Sequence, residues 1–194
     1  MNIAIASGKG GTGKTTLAVN LASFIRKYHE KPVDDIVLVD LDVEEPNSGL
    51  FLSGELIHEE TKFKKIPSWI EEKCSLCGKC QSVCEFNAIV QLPKLILIYP
   101  DFCHSCNACA GLCPEQALQM VDHKIGTLKH YKLLDTTYAE SRFSIVESIL
   151  KIGEPLAVPL IKKAKEYVRE HFSENSLKIF DCPPGTSCPV IESV

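Results

Sequence analysis

Ser7-Gly8-Lys9-Gly10-Gly11-Thr12-Gly13-Lys14-Thr15-Thr16 is the stretch that decides the fold. Before it, Asn2 to Ser7 alternate small and β-branched residues, as a short buried strand does. After it, Leu17, Asn20, Leu21, Phe24 and Ile25 recur at three- and four-residue spacing, the period of an amphipathic helix, and Lys31-Pro32 marks its exit. Ile36-Val37-Leu38-Val39 is then a continuous apolar run ending in Asp40, typical of a parallel strand covered on both faces. The order is strand, glycine loop, helix, strand. Within the loop, Gly8, Gly13, Lys14 and Thr15 fit G-x-x-x-x-G-K-[ST]. Glycines there let backbone N–H groups converge on phosphate oxygens, and the helix N-terminus adds its positive dipole end. Lys14 is expected to reach the β- and γ-phosphates of a nucleotide, and Thr15 to hold Mg²⁺ through its hydroxyl.

The texture changes near Glu59. Glu59 to Lys65 is charged, Pro67 breaks the pattern, and cysteine-rich sequence runs from Cys74 to Cys113. Regular texture resumes after Asp122. Leu156 to Ser173 reads as a helix with Pro159 in its first turn and Leu160, Ala164, Val168 and Phe172 on one face. Leu177-Lys178-Ile179-Phe180 reads as a strand delivering Asp181 to its carboxyl end. The simplest organisation is one α/β domain, residues 1–60 and 124–194, interrupted by a small module over 61–123.

Eight of the ten cysteines form two copies of one pattern. Cys74-x2-Cys77-x2-Cys80-x3-Cys84 comes first, and Cys103-x2-Cys106-x2-Cys109-x3-Cys113-Pro114 follows. Zinc ribbons use paired knuckles rather than three cysteines at steps of three, and disulfides between such close thiols would be strained. The spacing resembles that of bacterial two-cluster ferredoxins, in which the fourth cysteine of each run serves the other cluster. One [4Fe–4S] cluster is therefore expected on Cys74, Cys77, Cys80 and Cys113, the other on Cys84, Cys103, Cys106 and Cys109. Gly78 is expected to give its loop room for close backbone approach. Asn87-Ala88-Ile89 and Gln116-Ala117-Leu118 sit at matching offsets, so the duplication extends beyond the cysteines. Glu85 stands after Cys84, where the pattern expects proline, and places a negative charge near the second cluster. His104 reads as a surface residue, because the cysteines complete the ligand set.

The 194 residues carry a formal charge of −4, 45% hydrophobic and 24% charged residues, with a mean hydropathy of +0.03. These values exclude a disordered chain and a collagen-like repeat. The acidic balance argues against nucleic acid as a partner, since phosphate neutralisation needs clustered Lys and Arg. Leu95 to Tyr99, the longest apolar run, is too short to cross a bilayer. With no signal-like N-terminus, the cysteines point to metal or redox chemistry in the cytoplasm.

The glycine loop, with its extra Lys9, resembles the deviant Walker A loop of the MinD/ParA/Mrp class of P-loop ATPases. In that class the extra lysine reaches across a dimer to the partner's nucleotide. The resemblance therefore implies that role for Lys9, with Gly8 to Thr16 cradling the nucleotide. It also implies Asp40 in the Mg²⁺ shell and Asp42 on the attacking water. Asp181-Cys182-Pro183-Pro184-Gly185 matches the second acidic site, giving Asp181 to Mg²⁺ and making Gly185 the residue that approaches the γ-phosphate. Cys182 and Cys188 flank this switch. They read as free buried thiols, with a redox or metal role at a dimer seam as the sharper alternative. The order of motifs over the whole chain looks like that of MinD-superfamily ATPases containing an inserted ferredoxin domain. The expected fold is thus α/β: a doubly wound parallel P-loop sheet, incomplete at its C-terminal side, with an inserted α+β bacterial-type ferredoxin domain. The expected activity is ATP hydrolysis coupled to electron transfer or metallocofactor assembly on a client protein. A nucleotide-dependent homodimer, or a heterodimer with a paralogue, would carry it out, without nucleic acid or membrane. The other expectations are an electron carrier with a regulatory nucleotide site and a ParA-like positioning ATPase. Because a MinD-like sheet needs further strands beyond Asp181, this chain by itself is expected to be a poor ATPase.

Overall fold

The computed structural model describes residues 1–28, 34–52, 54–133 and 142–194, the Arg142 side chain excepted. Lys31 and Pro32 lie outside the described residues. The chain divides into two compact units: residues 1–62, 126–152 and 156–194 form the first, and residues 63–125 with 153–155 form the second.

The first unit is built on a six-stranded sheet. Its strands are β1 (Asn2–Ser7), β2 (Asp35–Asp40), β3 (Gly54–Trp69), β6 (Leu118–Leu133), β7 (Arg142–Leu150) and β8 (Leu177–Pro184), in the order β1-β8-β2-β7-β6-β3. The pairs β1–β8, β8–β2 and β2–β7 are parallel, and β6 runs antiparallel to β7. The expected parallel α/β sheet is present, with an antiparallel addition at one side.

β2 shows why these residues make this fold. Its alternating side chains feed two apolar layers. Ile36 and Leu38 pack with Ile145 and Ile179 under α1 (Lys14–Tyr28), while Val37 and Val39 pack with Val146 and Leu128 under α4 (Val158–His171). All four β2 side chains are fully buried, each contributing about 1.5–3 kcal/mol of apolar burial.

The helix α1 keeps part of the expected face, since Leu21 and Ile25 pack against the sheet layer, and departs from it elsewhere. Ala18, Val19 and Ala22 are its buried stripe, whereas Leu17 and Phe24 are 57% and 60% exposed. Small side chains at i and i+4 let the helix lie close on the sheet, and that approach outweighs the larger apolar surface of its neighbours. β1 also differs from a buried strand. Among the described residues it pairs only with β8, and Asn2, Ala4 and Ala6 are exposed while Ile3 and Ile5 lean on the α1 layer. Pro67 does not end its element: β3 runs through it. At the edge of a sheet a proline leaves no ladder hydrogen bond unmade.

The second unit repeats itself. The short helices α2 (Lys79–Ser82) and α3 (Ala108–Gly111) occupy equivalent places after the third residue of each CxxC step, and β4 (Ile89–Leu92) pairs antiparallel with β5 (Leu95–Ile98). Left-handed residues pair off between the copies: Leu76 with Ser105, Gly78 with Asn107, Asn87 with Gln116. Asn107 at φ +64° does what Gly78 does at φ +75°. Gly78 therefore serves a left-handed turn, and among the described residues a Cβ there would meet the Gln91 side chain. Its core is small: Ile89, Ile96, Leu118 and Cys109 in one cluster, Ile66, Ala88 and Cys103 in another. Lys64 donates to Glu154 at 2.8 Å with both side chains almost wholly buried, which fixes residues 153–155 in this unit.

Candidate functional site

The carboxyl ends of β2, β7 and β8 lie side by side, next to the glycine loop that follows β1. Cα register aligns Asp40 with Asp181 on one side and with Glu147 on the other. Three acids thus form a row at the strand ends, where open α/β sheets hold ligands.

The loop itself is held by its own polar groups. Ser7 Oγ donates to the Lys9 carbonyl at 2.7 Å and shares a hydrogen bond with Thr12 Oγ1 at 2.8 Å. Gly11 and Gly13 turn the chain at φ +71° and +87°, and Leu17 N–H donates to the Gly13 carbonyl as the helix begins. Gly8, Gly10, Gly11 and Gly13 all face open space, so the concave side of the loop is clear for a phosphate chain. Lys9, Thr12 and Thr16 are exposed, and Lys14 and Thr15 are half-buried. Gly185, at φ +101°, donates its N–H to the Ser7 carbonyl and so lies beside the loop's entry.

Thr15 Oγ1 donates to Asp181 Oδ2 at 2.5 Å, while Asp181 Oδ1 is buried with no hydrogen-bond partner among the described residues. A buried oxygen with an open lone pair beside a threonine hydroxyl fits a hydrated Mg²⁺, which takes one or two carboxylates and completes its shell from water and phosphate. Burial pushes the Asp181 carboxyl up to about 6, with the Asp40 charge adding to it and Thr15 and Lys14 opposing.

Asp40 is fully buried and raised by that burial, but its oxygens accept three backbone N–H groups, from Asp42, Asn47 and Ser48 at 3.0–3.1 Å. Asp40 thereby pins the loop that carries Asp42. The Asp42 carboxyl is pushed up to about 6 by burial and by Asp40, with Lys14 pulling the other way. The structure brings Lys14, Thr15, Asp40, Asp42, Asp181 and Gly185 to one end of the sheet.

Sequence reasoning passed over Glu147, although the signal was present: Ile145-Val146-Glu147 is an apolar run closed by an acid, like Val39-Asp40 and Phe180-Asp181. Cys182 is buried, as expected. Cys188 is exposed, against the expectation of a second buried thiol, because it opens the short helix α5 (Cys188–Ser193) at the surface.

In the second unit, two cavities are each ringed by four thiols. Cys74, Cys77, Cys80 and Cys113 line one, and Cys84, Cys103, Cys106 and Cys109 line the other. Among the described residues no three Cys, His, Asp or Glu side chains stand close enough to share a single metal ion. Thiols set around a cavity instead fit a multi-iron cluster, whose corners are spread wider than one ion's ligands. Burial pushes the Cys109 thiol up to about 11, with Cys103, Cys106 and Cys84 adding to it, so iron must displace protons to bind. Ala88 N–H donates to Cys84 Sγ and Ala117 N–H to Cys113 Sγ, both at 3.3 Å. Such bonds to sulfur help set a cluster's potential. Cys77 and Cys106 are exposed, giving each cavity one thiol at the surface. Glu85 is exposed, and His104 is exposed with its ring stacked on Phe86 at 3.8 Å. Among the described residues no helix is long and apolar enough to cross a membrane.

Comparison with known proteins places these features. The CobQ/CobB/MinD/ParA nucleotide binding domain matches residues 3–179. Two uncharacterized proteins of Methanocaldococcus jannaschii are 32% and 29% identical to the whole chain, which covers 63% and 65% of their lengths. The chain thus spans less than two thirds of each of these relatives. The polyferredoxin protein MvhB of Methanothermus fervidus is 31% identical over 96 residues, 49% of this chain and 22% of that protein. The chain belongs to the CobQ/CobB/MinD/ParA nucleotide-binding family and carries within it a ferredoxin-type iron–sulfur part.

Proposed function

We propose that this chain hydrolyses ATP and that its nucleotide state governs two [4Fe–4S] clusters, for electron transfer to a client protein or for metallocofactor assembly on one. The observation that carries this reading is one of connectivity. Glu147 of β7 lies in register with Asp40 in the acid row, and six residues further on the chain contributes Gly153 to Pro155, with the buried Glu154, to the unit that holds the thiol rings. A change in the nucleotide-end loops thus has a short covalent route to the cluster unit.

In this reading the backbone of Gly8 to Thr16 binds the phosphates and Lys14 spreads the charge of the γ-phosphoryl group. Asp42 orients the water that attacks the γ-phosphorus as the bond to the bridging oxygen breaks. Thr15, Asp40 and Asp181 hold Mg²⁺ directly or through water, and the ion when bound neutralises developing phosphate charge. Lys9, exposed on the loop, reaches a second copy or a paralogue, and nucleotide closes that dimer. The clusters, on Cys74/Cys77/Cys80/Cys113 and Cys84/Cys103/Cys106/Cys109, supply one-electron chemistry. The exposed thiols Cys77 and Cys106 are the sides from which a client is met. The acidic chain favours a protein client over nucleic acid.

The test is the reduction potential of the anaerobically reconstituted full-length protein, with and without ATP and Mg²⁺. A shift on ATP addition that Lys14→Ala abolishes supports coupling. An unchanged potential together with fast reduction by small donors supports a plain electron carrier instead.

A further inference from the structure

The acid row has three members, and the proposed chemistry uses only two of them. Glu147, the third, is 8% exposed. Burial raises its carboxyl, Asp40 adds to the rise, and the Tyr131 hydroxyl donates to it while Lys129 opposes. Its position is defined by what lies on it. Gly49 belongs to the single turn Ser48–Leu50, directly after the Asn47 and Ser48 amides that bind Asp40. A Cβ on Gly49 would stand 2.9 Å from Glu147 Oε2. The other end of the same loop is tied to the same strand, since Leu150 N–H donates to the Val43 carbonyl at 2.8 Å. The loop from Asp42 to Leu50 therefore rests on β7 at both ends, and Glu147 is the support under its second half. A hollow of about 320 Å³ beside it, lined by Pro46, Gly49, Leu50, Leu52, Tyr131 and Glu147 among others, leaves the loop space to sink if that support is removed.

We propose that Glu147 is a positioning residue for nucleotide hydrolysis: its side chain holds the 42–50 loop in place on β7 and so fixes Asp42 opposite Lys14. The catalytic part of this statement rests on the hydrolysis reading above, while the placement of the loop does not. Glu147 touches no phosphate; it acts through the loop, so removing it affects turnover and leaves nucleotide binding alone. Misplacement of a water-orienting group by about 1 Å is enough to cost up to a hundredfold in rate.

The experiment compares Glu147→Ala, Glu147→Gln and Gly49→Ala in the full-length protein by amide hydrogen exchange and ATP turnover. Glu147→Ala is expected to speed exchange at the Asn47 and Ser48 amides at least tenfold. It should lower kcat at least tenfold and leave the Kd for ATP within twofold. Glu147→Gln keeps the shape and the acceptor for Tyr131 and should return both readouts to within twofold of wild type. Gly49→Ala pushes the loop off the same carboxyl and should reproduce the Glu147→Ala pattern, which keeps the test valid should the larger truncation fail to fold. Unchanged exchange in both Glu147→Ala and Gly49→Ala overturns the inference, as does a kcat loss matched by an equal loss of ATP affinity. A wild-type protein that binds ATP yet never turns it over overturns the hydrolysis reading instead, and the exchange measurement still decides whether Glu147 holds the loop.

Discussion

Asp181 stands where two demands conflict. To hold Mg²⁺ as in the proposed function it must be ionised, yet it is 1% exposed with Asp40 in register beside it. The folded protein raises its carboxyl from 3.8 to about 6. A raised acid favours the fold most fully below pH 3.8, and that contribution is lost as pH rises through 6. At neutral pH the ionised Asp181 is therefore a burden on the nucleotide-free protein. Asp181→Asn is expected to stabilise that form at pH 7.5 by up to about 3 kcal/mol and to erase part of the stability gained on going to pH 5. The same change should weaken Mg²⁺-dependent ATP binding at least tenfold. Urea midpoints at the two pH values and nucleotide titrations with and without Mg²⁺ check both halves. Destabilisation by Asp181→Asn at pH 7.5 would show that the charge supports the fold rather than straining it. Asp181 was legible in the sequence because an apolar run delivers it to a strand end. Glu147 ends a run of the same kind, but no phosphate motif flanks it, so only the register beside Asp40 gives it meaning.

Elements were legible where packing follows hydrophobic period, and lost where pairing does the work. β2, α4 and β8 bury what their patterns say they bury. β3 reads Gly54-Glu55-Leu56-Ile57-His58-Glu59-Glu60, too charged to announce a strand; an edge position next to β6 supplies its hydrogen bonds, which composition does not encode. That pairing places His58 near α4, where Tyr167 stacks with it at 5.0 Å and with His171 at 4.0 Å. His130 of β6 completes the group, its Nδ1 bonded to the Tyr167 hydroxyl at 2.9 Å. His130 is 7% exposed, and burial, with the charges of His171 and His58, lowers it from 6.5 to about 4. Glu60, paired with Lys163 at 2.9 Å and 3.8 Å from His58, is the acid of the group. A depressed histidine contributes stability above pH 6.5 that disappears as pH falls towards 4, at most roughly 3 kcal/mol. His130→Gln keeps a partner for Tyr167 and removes the titration. Its stability should fall less steeply than that of the wild type between pH 6.5 and 4, read as the difference in urea midpoints. Parallel curves would mean that His130 does not set the acid limb.

At the scale of the whole chain, the two units are stabilised by different means. The first has two apolar layers on either side of β2, with large side chains such as Leu38, Leu128, Ile145, Leu160 and Ile179 fully buried. The second has few such residues, and two of its buried positions, Cys103 and Cys109, are cysteines of the repeat itself. A unit of that size with so small a core is marginal without a further tie. The buried Lys64–Glu154 pair adds little to that stability, since desolvation offsets its attraction. With the clusters of the proposed function bound, they would be that tie, and metal binding would become folding free energy for this unit alone. Removing iron by anaerobic chelation, or replacing Cys74 and Cys103 with Ser, is expected to erase amide protection between Cys74 and Cys113. Protection in β2 and β8 should stay within a few-fold of the intact protein, and ATP affinity within about threefold, because Thr15, Asp40 and Asp181 belong to the unit whose core is the two apolar layers. Hydrogen exchange before and after chelation, followed by iron and sulfide reconstitution, makes the comparison on one sample. Protection that survives chelation over 74–113 would show that the small apolar core suffices. Loss of ATP binding together with iron would show that the sheet depends on the clusters, and that the nucleotide site cannot form ahead of them.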